Sequence, residues 1–319
     1  MAKCKGCGVN LQNVDENKIG YSSSIDSDYC LRCFRIKNYN DYKLVDKDNK
    51  EFLNIINNIE DDNLVVLVLD ILNIGNILDS LKIKNKVLLV ITKYDLLPIY
   101  EEKIKDYINT KLNIIDTVII SSKNNYNYDL LYDKLNKYKT DKVYFIGLTN
   151  AGKSSIINKL IYNYGNKDIN ITTSYLPSTT LDTIEIDFDD YKLIDTPGLL
   201  EEGNIIEYVS KEQLKRIIPK SKINPKIYQI NSDQIINVDD ILLLDVKKNN
   251  IISFYMSNNL NYKRIYNNIK TDLEKHIINV EDNTDIVING LGFIKIKNKS
   301  KIILYTLKNV SVYTRKSLI

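Results

Sequence analysis

Gly147-Leu148-Thr149-Asn150-Ala151-Gly152-Lys153-Ser154 matches the phosphate-loop pattern G-x-x-x-x-G-K-[ST] at every fixed position. The apolar run Val143-Tyr144-Phe145-Ile146 precedes it, and Ser155-Ile156-Ile157-Asn158-Lys159-Leu160 follows with helical spacing. Strand, loop and helix in that order are what a phosphate cradle needs, because loop N–H groups and a helix N-terminus face the anion. Downstream, Asp195-Thr196-Pro197-Gly198 closes another strand, as a second switch motif does. A guanine-specificity motif ordinarily comes later still. Here its best candidate, Thr92-Lys93-Tyr94-Asp95, lies about fifty residues before the phosphate loop. The parts of a GTPase are present in rotated order. The expected fold is α/β, a circularly permuted P-loop GTPase domain.

Each position has a chemical reason. Lys153 is expected to reach the β- and γ-phosphates, and the Ser154 hydroxyl to ligate Mg²⁺; Ala151 and Ser155 complete the loop around GTP or GDP. Gly147 and Gly152 let the backbone turn and approach the ligand. Asp195 is the expected Mg²⁺-side carboxylate, and the Gly198 N–H the γ-phosphate contact. The Asp95 carboxylate can accept both N1–H and the exocyclic amine of guanine, a donor pair adenine lacks. The Lys93 stem is expected to lie along the base. Thr92 stands where Asn is usual and lacks an amide that both donates and accepts. Ser121-Ser122-Lys123, after the strand Thr117–Ile120, is similar to the S-A-K motif that reaches guanine O6 through backbone N–H.

Leu176-Pro177-Ser178-Thr179-Thr180-Leu181-Asp182 resembles the first switch of the TrmE–Era–Der class, in which the final Thr binds Mg²⁺; that role falls to Thr180, with Thr179 as the alternative. Two departures bear on catalysis. Leu199 follows Gly198 where Ras-like enzymes place the water-orienting Gln. Asn150 marks a resemblance to potassium-activated GTPases, in which such an Asn helps hold K⁺; alternatively it only braces the loop.

The chain has 319 residues, 44% hydrophobic and 27% charged, enough for two or three domains with a sizeable core. Alternating strand and helix patterns from about residue 50 argue a mostly parallel sheet, with a hairpin about Asp189-Asp190. After about residue 211 short β-like runs dominate, interrupted by a helix-like stretch over Tyr262–His276, and no internal repeat is visible. The longest aliphatic run, Leu64–Leu69, is far short of the roughly 20 residues that span a bilayer. No apolar leader follows Met1, so no membrane and a cytoplasmic location are expected.

All four cysteines form two C-x-x-C pairs, Cys4/Cys7 and Cys30/Cys33. In a reducing compartment that pattern argues a structural Cys₄ Zn²⁺ site, with a redox pair as the runner-up that would explain only one C-x-x-C. Three domains are therefore expected: a zinc-binding module over 1–45, the GTPase domain over 46–210, and a β-rich α+β domain over 211–319.

Cys4-x-x-Cys7, Gly20-Tyr21, Cys30-x-Arg32-Cys33-Phe34-Arg35 and Tyr39-Asn40 are similar to the zinc head of the YqeH family of circularly permuted GTPases. The motif order downstream matches that family too. Lys226–Ile230, the Asp285–Phe293 stretch and Arg315-Lys316-Ser317-Leu318-Ile319 look like its C-terminal domain. The resemblance implies GTP hydrolysis in assembly of the small ribosomal subunit or its precursor, with rRNA contact. Two rivals remain open: a zinc-dependent RNA-binding protein whose nucleotide pocket is structural, and a GTPase partner in RNA modification.

Charge is uneven. From Ile206 onward there are 19 Lys+Arg against 11 Asp+Glu, a net +8 in a chain of net +3. Such a basic domain suits a polyanionic partner or is a solvated surface. Lys295, Lys297, Lys299 and Lys301 alternate. They read as a basic row on one strand face, or, with a turn at Asn298-Lys299-Ser300, as two short basic strands side by side, near Arg315 and Lys316 if the strands pair, or as lysines guarding an exposed edge.

Overall fold

The computed structural model describes residues 2–16, 18–24, 26–39, 55–74, 83–97, 99–108, 113–165, 182–199, 202–266 and 270–319. The chain forms two compact units, one of residues 1–94 with 110–200, the other of 95–109 with 201–319.

The first unit carries β1 (Leu64–Asp70), β2 (Val87–Thr92), β3 (Ile114–Ile119), β4 (Lys142–Gly147), β5 (Ile184–Phe188) and β6 (Tyr191–Asp195) in the order β3-β2-β1-β4-β6-β5. All pairs are parallel except the β5–β6 hairpin, which turns at Asp189-Asp190 with Asp189 at φ 50°. Every residue of β1 and β2 is buried. Their unbroken aliphatic runs suit a parallel sheet covered on both faces. The chain starts the sheet at its centre. It winds outward through β2 and β3, returns to β4 on the other side of β1, then goes to the far edge at β5 and turns back inward to β6, beside β4. The strand order therefore reverses between β1 and β4, where ligands of open α/β sheets bind, beyond the carboxyl ends of the strands. Asp70, Thr92, Gly147 and Asp195 all end their strands.

The second unit corrects the expectation of no repeat. Its strands are β7 (Lys226–Ile230), β8 (Gln234–Val238), β9 (Leu242–Val246), β10 (Asn250–Met256), β11 (Tyr262–Ile265), β12 (Glu274–Val280), β13 (Thr284–Ile288), β14 (Gly292–Ile296), β15 (Ser300–Thr306) and β16 (Val312–Lys316). They form two five-stranded sheets, β16-β13-β14-β10-β7 and β11-β8-β9-β15-β12. Replacing each of β7–β11 by its counterpart in β12–β16, and the reverse, turns one sheet into the other. The registers agree: Val238 pairs with Leu242 and Ile288 with Gly292; Met256 with Gly292 and Thr306 with Leu242; Tyr262 with Val238 and Val312 with Ile288. Every one of these correspondences is an offset of 50 residues. Loop bonds repeat as well. Ile241 N donates to Val238 O, and Leu291 N to Ile288 O, at 3.1 and 3.0 Å. What the copies share is apolar pattern: Ile236/Ile286, Val238/Ile288, Leu244/Ile294, Val246/Ile296 and Ile252/Ile302 belong to one core.

Two further expectations fall here. The described residues of the stretch Tyr262–His276 are not helical: Tyr262–Ile265 pairs with β8 as β11, and Glu274–Val280 pairs with β15 as β12. Completing the second sheet overrides the local spacing. The lysines do not share one strand either. Lys295 lies in β14 and Lys301 in β15, which belong to different sheets, with Lys297 and Lys299 in the connection between them. Lys295 donates to the Ile319 carbonyl, and Lys299 pairs with Glu281 at 2.9 Å. Arg315 is buried against Asp285 at 3.4 Å and lies over the Phe293 ring, so it adds no exposed charge. No helix among the described residues is long and apolar enough to cross a membrane.

Candidate active site and metal centre

The phosphate loop leaves β4 through Gly147 at φ 150°; a Cβ there would lie 2.1 Å from the Val68 carbonyl, so only glycine fits beside β1. Asn150 and Gly152 take left-handed backbone, at φ 63° and 99°, and Lys153 opens the helix Lys153–Tyr164. The Lys153 ammonium folds back on its own loop, donating to the Gly147 and Leu148 carbonyls at 3.1 and 3.2 Å. Burial pushes it down to about 8, with Asp195 pulling the other way. A buried cation held, among the described residues, by backbone carbonyls is poised for anionic oxygens.

The Ser154 hydroxyl donates to Asp195 Oδ2 at 2.7 Å, and Asp195 is fully buried at the end of β6. A hydroxyl and a carboxylate held side by side, all oxygen, are a donor set that fits Mg²⁺. The segment after β6 is sewn onto the loop. Leu199 N donates to Gly147 O, and Thr149 N to Leu199 O, each at 3.0 Å. A Cβ on Gly198 would meet the Thr149 Cα at 2.7 Å. Ala151 is buried, and Ser155 is half-buried in the first helical turn. Thr180 and Thr179 lie outside the described residues.

Thr92 has a definite task. Its hydroxyl sits 2.6 Å from the Ala151 carbonyl and 3.3 Å from that of Leu69, so it ties the end of β2 to the phosphate loop. Lys93 takes φ 57°, with its ammonium 3.4 Å from Asp70 Oδ2. Asp95 is half-buried in a one-turn 3-10 helix, Tyr94–Leu96. The Ser121-Ser122-Lys123 segment comes to the same sheet edge, since Ile120 N donates to Ile91 O at 2.8 Å and Tyr94 N to Ile120 O at 3.2 Å. Ser121 is buried, and its loop closes through paired backbone bonds with Tyr126, whose ring stacks on Tyr94 at 5.2 Å. Ser122 is hydrogen-bonded to the Tyr128 hydroxyl at 2.7 Å, and Lys123 is exposed. Sequence reasoning passed over Asp70 and Tyr126. Asp70 was legible only as a carboxylate ending an otherwise aliphatic strand.

Cys4, Cys7, Cys30 and Cys33 are all buried, with the four sulfurs within 4.8 Å of one another. Cys7 Sγ and Cys30 Sγ are 3.8 Å apart, far beyond a disulfide bond and close to the spacing of thiolates about 2.3 Å from one central tetrahedral ion. Cys30 N–H points at Cys4 Sγ at 3.2 Å, and Cys33 N–H at Cys30 Sγ at 3.5 Å. Hydrogen bonds from Cys30, Cys33 and Cys7 hold the Cys4 thiol well below its ordinary range. Those to Cys30 and Cys4 push Cys33 far above it. One cation at the centre relieves that conflict. The cluster is fit for a structural metal such as Zn²⁺ and leaves no open position for water.

The RsgA GTPase family matches residues 42–204, and a family described as 50S ribosome-binding GTPase matches residues 142–290. The uncharacterized protein YqeH of Bacillus subtilis (strain 168) is 33% identical, aligned over 99% of both chains. GTPase Der of Karelsulcia muelleri (strain GWSS) is 28% identical over 73% of this chain and 50% of its own length. The tRNA modification GTPase MnmE of Borreliella afzelii (strain PKo) is 33% identical over 37% of this chain and 25% of its own.

Proposed function

Since the chain belongs to the YqeH family of circularly permuted, GTP-hydrolysing enzymes, we propose that it is a cytoplasmic assembly factor for the small ribosomal subunit, with nucleotide state coupled to contact with rRNA or a precursor particle. The observation that carries this reading is the chain's exit from the nucleotide unit. The first unit ends at Leu200, two residues after Gly198, and the second continues from there. A segment that senses the γ-phosphate is thus continuous with a net-basic domain.

In this reading Lys153 exchanges the Gly147 and Leu148 carbonyls for phosphate oxygens. Ser154 and Asp195 hold Mg²⁺, joined by Thr180; bound there, the ion neutralises charge on the phosphates. The Gly198 N–H meets the γ-phosphate. Asp95 selects guanine, and the Ser121–Lys123 backbone faces its O6. Leu199 has no group to orient water, and Asn150 is assigned to K⁺ in its place. The four cysteines hold Zn²⁺ as a structural staple.

Sedimentation of cell extract with a non-hydrolysable GTP analogue tests the assignment. Co-migration with the small subunit or its precursors is the expected result. Migration with large subunits, which the description of the family matching residues 142–290 favours, would overturn it. GTP binding without turnover would favour an RNA-binding protein with a structural pocket, and co-purification with a tRNA-modifying enzyme the partner role suggested by the MnmE likeness.

A further inference from the structure

We propose that Asp70 is a positioning residue for guanine recognition, acting through Lys93. The inference rests on reading Thr92–Asp95 as the guanine motif.

Asp70 ends β1, the strand between the phosphate-loop strand β4 and the guanine-motif strand β2, and is paired in register with Thr92. Its side chain is 7% exposed and fully committed. Oδ1 accepts the backbone N–H groups of Leu72 and Asn73 at 2.9 and 3.1 Å. Oδ2 accepts the Asn73 amide at 2.9 Å and faces the Lys93 ammonium at 3.4 Å. Three neutral donors therefore fix the carboxylate in one rotamer, and among the described residues its charged partner is Lys93. The turn that supplies those donors follows β1 directly, so the carboxylate is fixed by local backbone rather than by distant packing.

Lys93 needs such a partner. A lysine stem has four rotatable bonds, and ordering it carries a large entropic cost. To lie along a purine face, the stem must be held at both ends. Its backbone end is set by the left-handed φ of 57°. Its ammonium end is set by Asp70. The lysine side chain is 36% exposed against 7% for Asp70, so the pair has one buried and one partly open member. Thr92, the preceding residue, is fixed independently through the Ala151 carbonyl. Two adjacent residues of the motif are thus anchored to two different strands: Thr92 to the loop after β4, and Lys93 to the end of β1. The ordering cost is met before nucleotide arrives, which is how preorganisation raises affinity.

Asp70→Asn keeps the shape and removes the charge. By titration with a fluorescent GDP analogue, affinity is expected to fall about tenfold, within the range of pairwise coupling between contacting charged groups. The KM for GTP should rise about as much, with kcat little changed. Pyrophosphate, which lacks the base, should bind as tightly as to the parent protein. Lys93→Ala should show the same loss, and the double variant no more than either alone. Should Asp70→Asn fail to fold, Asn73→Ala removes one of the fixing donors and keeps both charges, and about a twofold to threefold loss is expected. If Lys93→Ala weakens GDP binding but neither Asp70→Asn nor Asn73→Ala does, the positioning role is wrong. If Lys93→Ala itself leaves GDP binding unmoved, the guanine motif has been misplaced.

Discussion

The backbone N–H of Asp182 donates to the Cys7 carbonyl at 3.0 Å, joining the first cysteine knuckle to the residue just ahead of β5. Lys3 adds an ion pair to the Asp182 carboxylate at 3.5 Å. Gly8 makes the approach feasible: its φ is +81°, and a Cβ would sit 2.7 Å from the Asp182 carbonyl oxygen. Gly8→Val should therefore cost about 2–4 kcal/mol through backbone strain and overlap, while the four sulfurs stay available. Thermal unfolding should shift down with metal content unchanged. An unshifted midpoint would mean that the knuckle does not dock there in solution.

Metal analysis should return about one Zn²⁺ per chain, as four thiolates require. Cys4→Ser or Cys30→Ser should abolish it and unfold the head, whose core among the described residues is little more than the cysteines, Leu11, Val9 and Tyr29. Nucleotide binding should survive, since Lys153 and Ser154 open the helix after β4 and Asp195 ends β6, none of them part of the cysteine cluster. Intact thiols without metal in the wild type would refute the site.

Lys153 predicts a pH signature. Its pKa is about 8 in the folded, ligand-free protein against an ordinary 10.5. Between those values the unfolded chain keeps a proton that the folded chain has lost, so ligand-free stability should rise with pH across that window. Phosphates favour the charged amine, so binding in the same window takes up a proton, and affinity should fall by up to about tenfold per pH unit above 8. Calorimetry in buffers of different ionisation enthalpy measures that uptake. No uptake at pH 9 would show that Lys153 stays charged in the empty loop.

Thr92→Val removes the hydroxyl and strands the Ala151 carbonyl. The loss should be about 1–3 kcal/mol in nucleotide affinity or stability, read by GDP titration and thermal unfolding together. Asp95→Asn should shift preference from GTP toward XTP, because an acceptor becomes a donor facing guanine N1. No gain for XTP would place base recognition elsewhere.

Arg315→Met should destabilise the second unit by about 3–5 kcal/mol, since it leaves Asp285 buried without its cation. Burial already pushes the Asp285 carboxyl up, with Arg315 opposing. Adding Asp285→Asn should recover much of the loss. Chemical unfolding of the three variants checks it, and a double variant no better than the single would sink the pairing.

The P-loop GTPase fold and the cysteine cluster were legible because their chemistry dictates residue types at fixed spacing: glycine where a Cβ would strike Val68, a lysine and a hydroxyl at the helix start, paired cysteines. The fate of Thr92 was not legible, because a hydroxyl in place of an amide shows its partner only when Ala151 is beside it. The lysine row failed because alternation specifies a face only within one strand, and the chain changes sheets between Lys295 and Lys301. Arg315 read as surface charge until Asp285 appeared on the neighbouring strand. The repeat escaped because side chains diverged, as Asp285 opposite Ile235 and Arg315 opposite Ile265 show, while the buried pattern stayed.

That repeat has a consequence for synthesis. Each sheet takes three strands from one copy and two from the other, so the second unit is an exchange of strands between two halves of a single chain. Neither half contains a finished sheet. As the polypeptide emerges, residues 226–265 expose the open flanks of β9 and β10 until β14 and β15 arrive to cover them. The unit should acquire protection from proteolysis in one late step, and a nascent chain stopped between the copies should be as vulnerable as an unfolded one.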